Sequence, residues 1–96
     1  MAIEDAMILE ALLKEVTDPA QLTAAFKAYD QVRRPRTQRL IHSSYGTGLI
    51  LSGRGSDTGL DKDKILEALP PRWGFIYAFD QKEHKEDALA AFKGFL

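Results

Sequence analysis

Four arginines gather around a single proline and are the side chains of this sequence best suited to binding chemistry. Arg33, Arg34 and Arg36 flank Pro35, and Arg39 follows one helical turn later. Guanidinium groups bind carboxylates and phosphates through paired hydrogen bonds, so the first three arginines are candidate anion contacts. On an exposed helix, arginines more often pair with nearby acids or with water, at under about 1 kcal/mol each. The sequence favours this second interpretation.

Aromatic side chains occur at every second position of one short segment, namely Trp73, Phe75, Tyr77 and Phe79. Together with two polar groups, part of this segment is a candidate pocket for an aromatic ligand, formed by Arg72, Trp73, Tyr77 and His42. Aromatic clusters in small domains are more often core than binding site. We therefore expect the segment to form the aromatic centre of the protein.

Other polar motifs give little support for metal, nucleophilic or phosphate chemistry. His42 and His84 are the only histidines, there is no cysteine, and the two histidines match no metal-ligand spacing. We expect each of them to be either solvated or part of the core. Ser43 and Ser44 beside His42 lack an orienting acid. The glycines between residues 46 and 55 fit neither the dinucleotide loop nor the P-loop, and favour plain turns.

Charge and composition narrow the possible partners. The chain has 96 residues, with 13 basic and 14 acidic side chains that nearly cancel. A chain without a strong net field has no general attraction for nucleic acid or an anionic membrane, so we expect neither as a partner. No apolar stretch approaches the roughly 20 residues that span a bilayer. With no basic leader and no cysteine, the sequence predicts a soluble, cytoplasmic protein.

The elements that position these residues are mostly helices. Residues 2–16 are rich in Ala, Leu, Met and Glu and predict the first helix, whose apolar stripe is wide enough to need partners on two sides. Asp18 and Pro19 begin a second helix. Pro35 predicts a kink or short break in it. Residues 37–50 are again compatible with a helix, although Gly46 and Gly48 weaken that local signal.

The second half of the chain is divided by prolines and glycines. A glycine-rich link over residues 52–60 separates an arm of residues 1–51 from an arm of residues 61–96. Asp61 or Asp63 caps a short helix, and the adjacent prolines Pro70 and Pro71 end it. Residues 72–79 are either a strand or a short helix, and Asp80 caps a terminal helix over residues 81–95. The prediction is one all-α domain, residues 1–96, of four to five helices.

Three segments resemble the C-terminal part of class A FAD-dependent aromatic monooxygenases, in particular salicylate hydroxylase. They are AIEDA at residues 2–6, AAFKAYDQVRRPR at residues 24–36, and LPPRW at residues 69–73 followed by Phe79 and Asp80. The resemblance covers nearly the whole chain in order. It implies that residues 37–51 continue as a helix through both glycines, against the local signal.

Members of this family use FAD and NAD(P)H to insert one oxygen atom from O2 into an aromatic acid. The nucleotide-binding fingerprint of the family is missing from this chain, as is the Gly-Asp motif that holds the flavin. Met1 stands where a glycine-rich turn beside the flavin would precede Ala2. By resemblance only Asp5 is carried over as a cofactor-binding residue. The resemblance therefore implies a C-terminal fragment or truncated relative that is structural, has no catalytic residue and holds no cofactor alone.

Two other functions remain open on the sequence. The chain could be a stand-alone small enzyme or ligand-binding protein that acts on an aromatic or polyketide-like molecule. It could also be an interaction module that docks onto a full-length monooxygenase. For the fragment, the apolar first helix predicts a homodimer or higher oligomer, because a contiguous apolar stripe that lacks a partner drives association.

Overall fold

The computed structural model describes all residues from 1 to 96 and contains helices without strands. The α-helices are α1 (Ala2–Lys14), α2 (Leu22–Leu51), α3 (Lys62–Ala68), α4 (Gly74–Tyr77) and α5 (Gln81–Phe95). Short 3-10 helices at Pro19–Gln21 and Pro70–Trp73 precede α2 and α4. The predicted all-α class with four to five helices is confirmed. No helix combines the length and the apolar character needed to cross a bilayer.

Local capping signals set the helix ends near the predicted positions. The Asp18 carboxylate accepts a hydrogen bond from the Ala20 amide at 2.8 Å, and Pro19 occupies the first helical position, where no amide hydrogen is needed. The Asp61 carboxylate accepts hydrogen bonds from the first amides of α3, and the Asp80 carboxylate accepts one from the Glu83 amide. These caps confirm the predicted helix starts.

Helix α2 runs for 30 residues with Pro35 inside it, so the short break predicted there is absent, while the alternative of a kink stays a prediction. Pro35 is exposed and removes only one hydrogen bond of the helix. Arg33 and Arg36 on either side of it form ion pairs with α1. The predicted continuation through Gly46 and Gly48 is confirmed.

The chain forms two contact units that share α2. The first unit comprises Met1–Thr37 and Asp80–Leu96, and it contains the hydrophobic core. The core residues are Ile8 and Leu12 of α1, Ala24, Ala25 and Ala28 of α2, and Ala88 and Phe92 of α5. Small alanines on two of the helices leave room for three large side chains, which is how alternate sizes fill a core closely.

The second unit comprises Gln38–Phe79 and consists of the end of α2, the glycine-rich loop, α3 and α4. Gly53 and Gly59 take the left-handed backbone conformation in the loop, with φ of 76° and 50°. The loop, with its two left-handed glycines, leads from α2 to the Asp61 cap of α3. The predicted division of one domain into arms at this loop stays a prediction.

The expectation of an aromatic core at residues 73–79 is wrong. Trp73 is 39% exposed and Tyr77 is 83% exposed, while Phe75 and Phe79 are only half-buried. The segment forms a 3-10 turn and the four-residue helix α4 instead of a strand. In a helix, residues two apart point about 200° away from each other, so the alternating aromatics cannot share one buried face.

Candidate functional site

Arg33 of α2 is the most unusual side chain in the structure, because it is only 2% exposed and is the largest fully buried residue. A buried guanidinium is tolerated only when its hydrogen-bond donors and its charge are satisfied. Its neighbours Arg36 and His84 are also buried, at 8% exposed each. Sequence reasoning expected exposed arginines here, which is wrong for Arg33 and Arg36 and correct for Arg34.

Three segments that are distant in the sequence meet at Arg33. Its Nε donates to Asp5 Oδ1 at 2.7 Å, and its Nη1 donates to Glu4 Oε1 at 3.1 Å. The same Nη1 lies 3.2 Å from His84 Nε2 of α5. A guanidinium has no acceptor, so His84 must accept this hydrogen bond on an unprotonated Nε2 and carry its proton on Nδ1. His84 is therefore neutral in this arrangement.

Arg36 completes the group, which we call the Arg33 cluster: Glu4, Asp5, Arg33, Arg36 and His84. Arg36 grips Glu4 with a fork of two hydrogen bonds, from Nε to Oε1 at 2.6 Å and from Nη2 to Oε2 at 3.1 Å. Glu4 thus serves two arginines. The two arginines balance the charge of the two carboxylates, and His84 is neutral. Charged side chains tolerate burial when they are paired and hydrogen-bonded in this way.

The electrostatics of the cluster favour a structural role over a role in proton transfer. Hydrogen bonding from Arg36, assisted by Arg33, lowers the pKa of Glu4 from 4.5 to about 2 although its partial burial opposes this. Burial, then the positive charges of Arg33 and Arg36, lower the pKa of His84. An effective general base has a pKa near the working pH, so Glu4 is a poor one. The lone pair of His84 is already engaged by Arg33.

The residues predicted as anion contacts all have carboxylate partners. Arg33 and Arg36 are held in the Arg33 cluster, and the exposed Arg34 pairs with Asp30 one turn earlier, at 2.7 Å. Pairing on an exposed helix, the interpretation that the sequence favoured, is found for Arg34, whereas Arg33 and Arg36 are buried and pair with acids of α1. Binding of an external anion by these arginines stays a prediction. So does the cofactor role carried over to Asp5, whose side chain is 31% exposed and bound to Arg33.

In the predicted aromatic-ligand pocket, Arg72 is bound to α2, while Trp73, Tyr77 and His42 are exposed. Arg72 lies against α2, where its Nε donates to Thr47 Oγ1 at 2.9 Å and its Nη2 donates to the Ser43 carbonyl at 3.0 Å. His42 and Tyr77 are exposed. A pocket formed by these residues stays a prediction. Nearby, the Arg39 guanidinium stacks 4.2 Å above the centre of the Phe75 ring.

Sequence reasoning missed two members of the Arg33 cluster, and the signals for them differ in strength. Glu4 sits beside Asp5 in the first turn of α1, and Arg33 and Arg36 are three apart on one face of α2. Two adjacent acids and two arginines on one face could have suggested a pairing of helices. His84 had no such signal, because only the packing of α5 brings it to Arg33.

The sequence is similar to several individual proteins of known family. No family model matches the sequence, and no solved structure matches it. The chain is 40% identical over 91 residues to the FAD-dependent monooxygenase elcH of Phaeosphaeria nodorum, which covers 95% of the chain and 19% of that protein. It is 32% identical over 79 residues to salicylate hydroxylase of Pseudomonas putida, covering 81% of the chain and 18% of that protein.

A third relative, the FAD-dependent monooxygenase SAT7 of Stachybotrys chartarum, is 38% identical over 79 residues, or 81% of the chain and 17% of that protein. The chain thus spans about a fifth of the length of the curated relatives that it matches. These matches agree with the resemblance carried by the three sequence motifs. They show that the chain corresponds to the C-terminal segment of FAD-dependent monooxygenases related to salicylate hydroxylase.

Proposed function

We propose that this chain serves as the helical C-terminal segment of an FAD- and NAD(P)H-dependent hydroxylase of aromatic acids, and that it contributes structure without flavin chemistry of its own. Matches over 81–95% of the chain to such monooxygenases support the family of the parent activity. Salicylate-type acids are the substrate class that the name of the Pseudomonas relative suggests. The same proposal puts the protein in the cytoplasm, where reduced nicotinamide nucleotide is supplied.

The observation that supports a structural role is that the two acids at the start of α1 pair with arginines of α2. Asp5, the one residue with a proposed cofactor role, holds Arg33 at 2.7 Å, and Glu4 holds both Arg33 and Arg36. These ion pairs fix the first turn of α1 to α2. A helix start that is fixed in this way gives a rigid support for whatever precedes it in an enzyme, and rigid supports keep a reacting group in place.

Flavin retention by the isolated chain tests the absence of independent chemistry. Purified protein is incubated with FAD, passed over a desalting column, and its visible absorbance is recorded. We expect no flavin bands in the protein fraction and no oxidation of NAD(P)H when salicylate is added. A yellow preparation with one flavin per chain that consumes NAD(P)H would contradict the proposal.

Segment exchange tests the positive half of the proposal. The matching 91 residues of the Phaeosphaeria relative are replaced by this chain, and helicity is checked by circular dichroism. We expect the hybrid to retain FAD and to oxidise NAD(P)H with its own substrate. A hybrid that folds but has lost FAD would show that this chain does not provide the support that the family needs.

We also propose that the outward face of α1 makes the isolated chain a homo-oligomer. Ile3 is 79% exposed, and a shallow groove on the same helix is lined by Ala6, Leu9, Glu10, Leu13 and Lys14. A helix that is apolar on both faces needs cover on both. The alternative occupant of this face is a full-length monooxygenase.

Light scattering during size-exclusion chromatography distinguishes these possibilities. We expect a dimer or larger species for the natural sequence and a monomer for Ile3→Lys, with unchanged helicity. A monomer at high concentration for the natural sequence would contradict self-association. A stable complex with the Phaeosphaeria relative would then favour docking onto a full-length enzyme.

A further inference from the structure

His84 is the side chain of α5 that contacts Arg33 in the Arg33 cluster. We propose that the Arg33 cluster contains an acid-sensitive latch, in which protonation of His84 releases the first turns of α5 from α1 and α2. We use latch for the contact between His84 Nε2 and Arg33 Nη1. This inference does not depend on the enzyme family.

The geometry of the latch requires a neutral histidine. Nε2 of His84 is 3.2 Å from a guanidinium nitrogen that can only donate. A proton on Nε2 turns the acceptor into a second donor, so the hydrogen bond is lost. It also places a positive charge beside Arg33, which is 2% exposed and poorly screened by solvent.

Charges from each packed helix decide how His84 titrates. From α2, Arg33 and Arg36 oppose a charged imidazole, while Glu4 from α1 and Asp87 from α5 favour it. Glu4 is already shared between two arginines, which offsets most of its attraction for a further cation. Asp5 is likewise bound to Arg33. Burial and the two arginines therefore dominate, and the pKa of His84 lies below its usual value of 6.5.

The position of His84 along α5 limits what the latch can release. His84 lies in the first turns of the helix, where the positive end of the helix dipole also disfavours a cation. Further along the helix, Ala88 and Phe92 are buried in the hydrophobic core at 0% and 4% exposed. Loss of the latch therefore loosens the beginning of α5, while its second half stays packed.

The sign of the pH effect follows from the direction of the pKa shift. The folded state prefers neutral His84, so the contribution of the latch is complete above the ordinary pKa of 6.5. It is lost as the pH falls from there through the lowered pKa of the folded protein. Within that window the ratio of closed to open latch falls by at most about tenfold for each pH unit.

Amide hydrogen exchange, corrected for the intrinsic pH dependence, measures the opening directly. Exchange is followed for residues 84–87 and, as an internal reference, for residues 91–95, at about pH 7.5 and about pH 5. We expect protection of residues 84–87 to fall severalfold in acid relative to the reference. Equal protection ratios at the two pH values would overturn the proposal.

Two substitutions make the test specific, because the chain has only two histidines. His84→Gln offers Arg33 a carbonyl acceptor that does not titrate, and it should remove the acid-dependent loss of protection. His42→Gln changes an exposed histidine and should leave the loss unchanged. An acid response that persists in His84→Gln would overturn the proposal.

Proton NMR titration of the natural chain keeps the proposal testable even if His84→Gln does not fold. The two imidazole signals are assigned with His42→Gln. We expect the His84 signal to titrate below pH 6.5, the usual pKa value for histidine. A His84 signal that titrates at or above that value would overturn the latch.

Discussion

Arg33→Met is the substitution that most directly tests whether the buried ion pairs hold the first unit together. Methionine keeps an unbranched, apolar stem of similar length, so the change mainly removes the charge and its hydrogen bonds. It leaves Asp5 and His84 without their Arg33 contacts and leaves Glu4 with Arg36 alone. We expect a large loss of stability at neutral pH.

The size of this loss in stability follows from the burial of the ion pair between Arg33 and Asp5. Removing one partner of a buried ion pair typically costs about 3–5 kcal/mol, since the other charge stays uncompensated. The Asp5 side chain is 31% exposed and can regain some hydration, which favours the lower end, ~3 kcal/mol. For a domain of this size, that corresponds to a fall in melting temperature of roughly 12–24 °C. The loss is a large fraction of the ~5–14 kcal/mol expected in total.

Urea unfolding followed by circular dichroism at about pH 7 measures this free energy, and the neighbouring arginine supplies a matched control. Arg34 is bound to Asp30 at 2.7 Å, the same distance as between Arg33 and Asp5, but on the exposed surface. Arg34→Met should therefore cost only about 0.3–0.5 kcal/mol. The two arginines differ in burial and in their partners, since Arg33 contacts Asp5, Glu4 and His84 on other helices while Arg34 pairs with Asp30 within α2.

Equal losses in the two variants, or a loss below about 1 kcal/mol for Arg33→Met, would refute this reasoning. Raising the salt concentration provides an independent check. The loss caused by Arg34→Met should shrink as salt screens the exposed pair. The loss caused by Arg33→Met should persist, because ions do not penetrate a buried cluster.

Further predictions concern single residues and use the same urea titration. Glu4 has a lowered pKa, so its contribution of on the order of 2–3 kcal/mol is complete above pH 4.5 and lost as the pH falls towards about 2. Glu4→Gln should flatten this acid limb, and an unchanged limb would contradict the assignment. Gly48→Ala should stabilise α2 by about 1 kcal/mol, because the added methyl meets open space. Gly53→Ala should destabilise by about 1–3 kcal/mol, because φ is +76° and the methyl would meet the Leu60 side chain. Pro35→Ala restores a helical amide and should stabilise by on the order of 1–3 kcal/mol; a loss instead would mean that the proline is needed for the path of α2.

Local signals were sufficient to predict most of the helices. Asp18, Asp61 and Asp80 each cap a helix within the same few residues that announce it, so no distant contact is needed to recognise the start. The paired prolines ended α3 for an equally local reason. The path of α2 through Gly46 and Gly48 was predicted by family resemblance and not by propensity.

Contacts between distant segments explain what the sequence did not predict. The short break expected at Pro35 is absent, and α1 pairs with the arginines on both sides of the proline, a contact that local propensity does not include. The same packing buries Arg33 and recruits His84, neither of which can be inferred from neighbours in the chain. The prediction of an aromatic core at residues 73–79 was wrong for a different reason. The alternating aromatic pattern was assigned to a core before the secondary structure of the segment was known.

Buried ion pairs usually stabilise a fold no better than apolar side chains of similar size, so the Arg33 cluster needs another physical rationale. The fully buried core residues of α2 are the small Ala24, Ala25 and Ala28, and the partly buried Tyr29 and Val32 pack beside them. A slip of α1 by one turn would bring Ile8 to the place of Glu4 and leave two buried guanidiniums without a carboxylate. The cost of an unpaired buried charge penalises that slip strongly. We therefore expect the ion pairs to disfavour a shifted register of α1, in addition to the stability that they contribute.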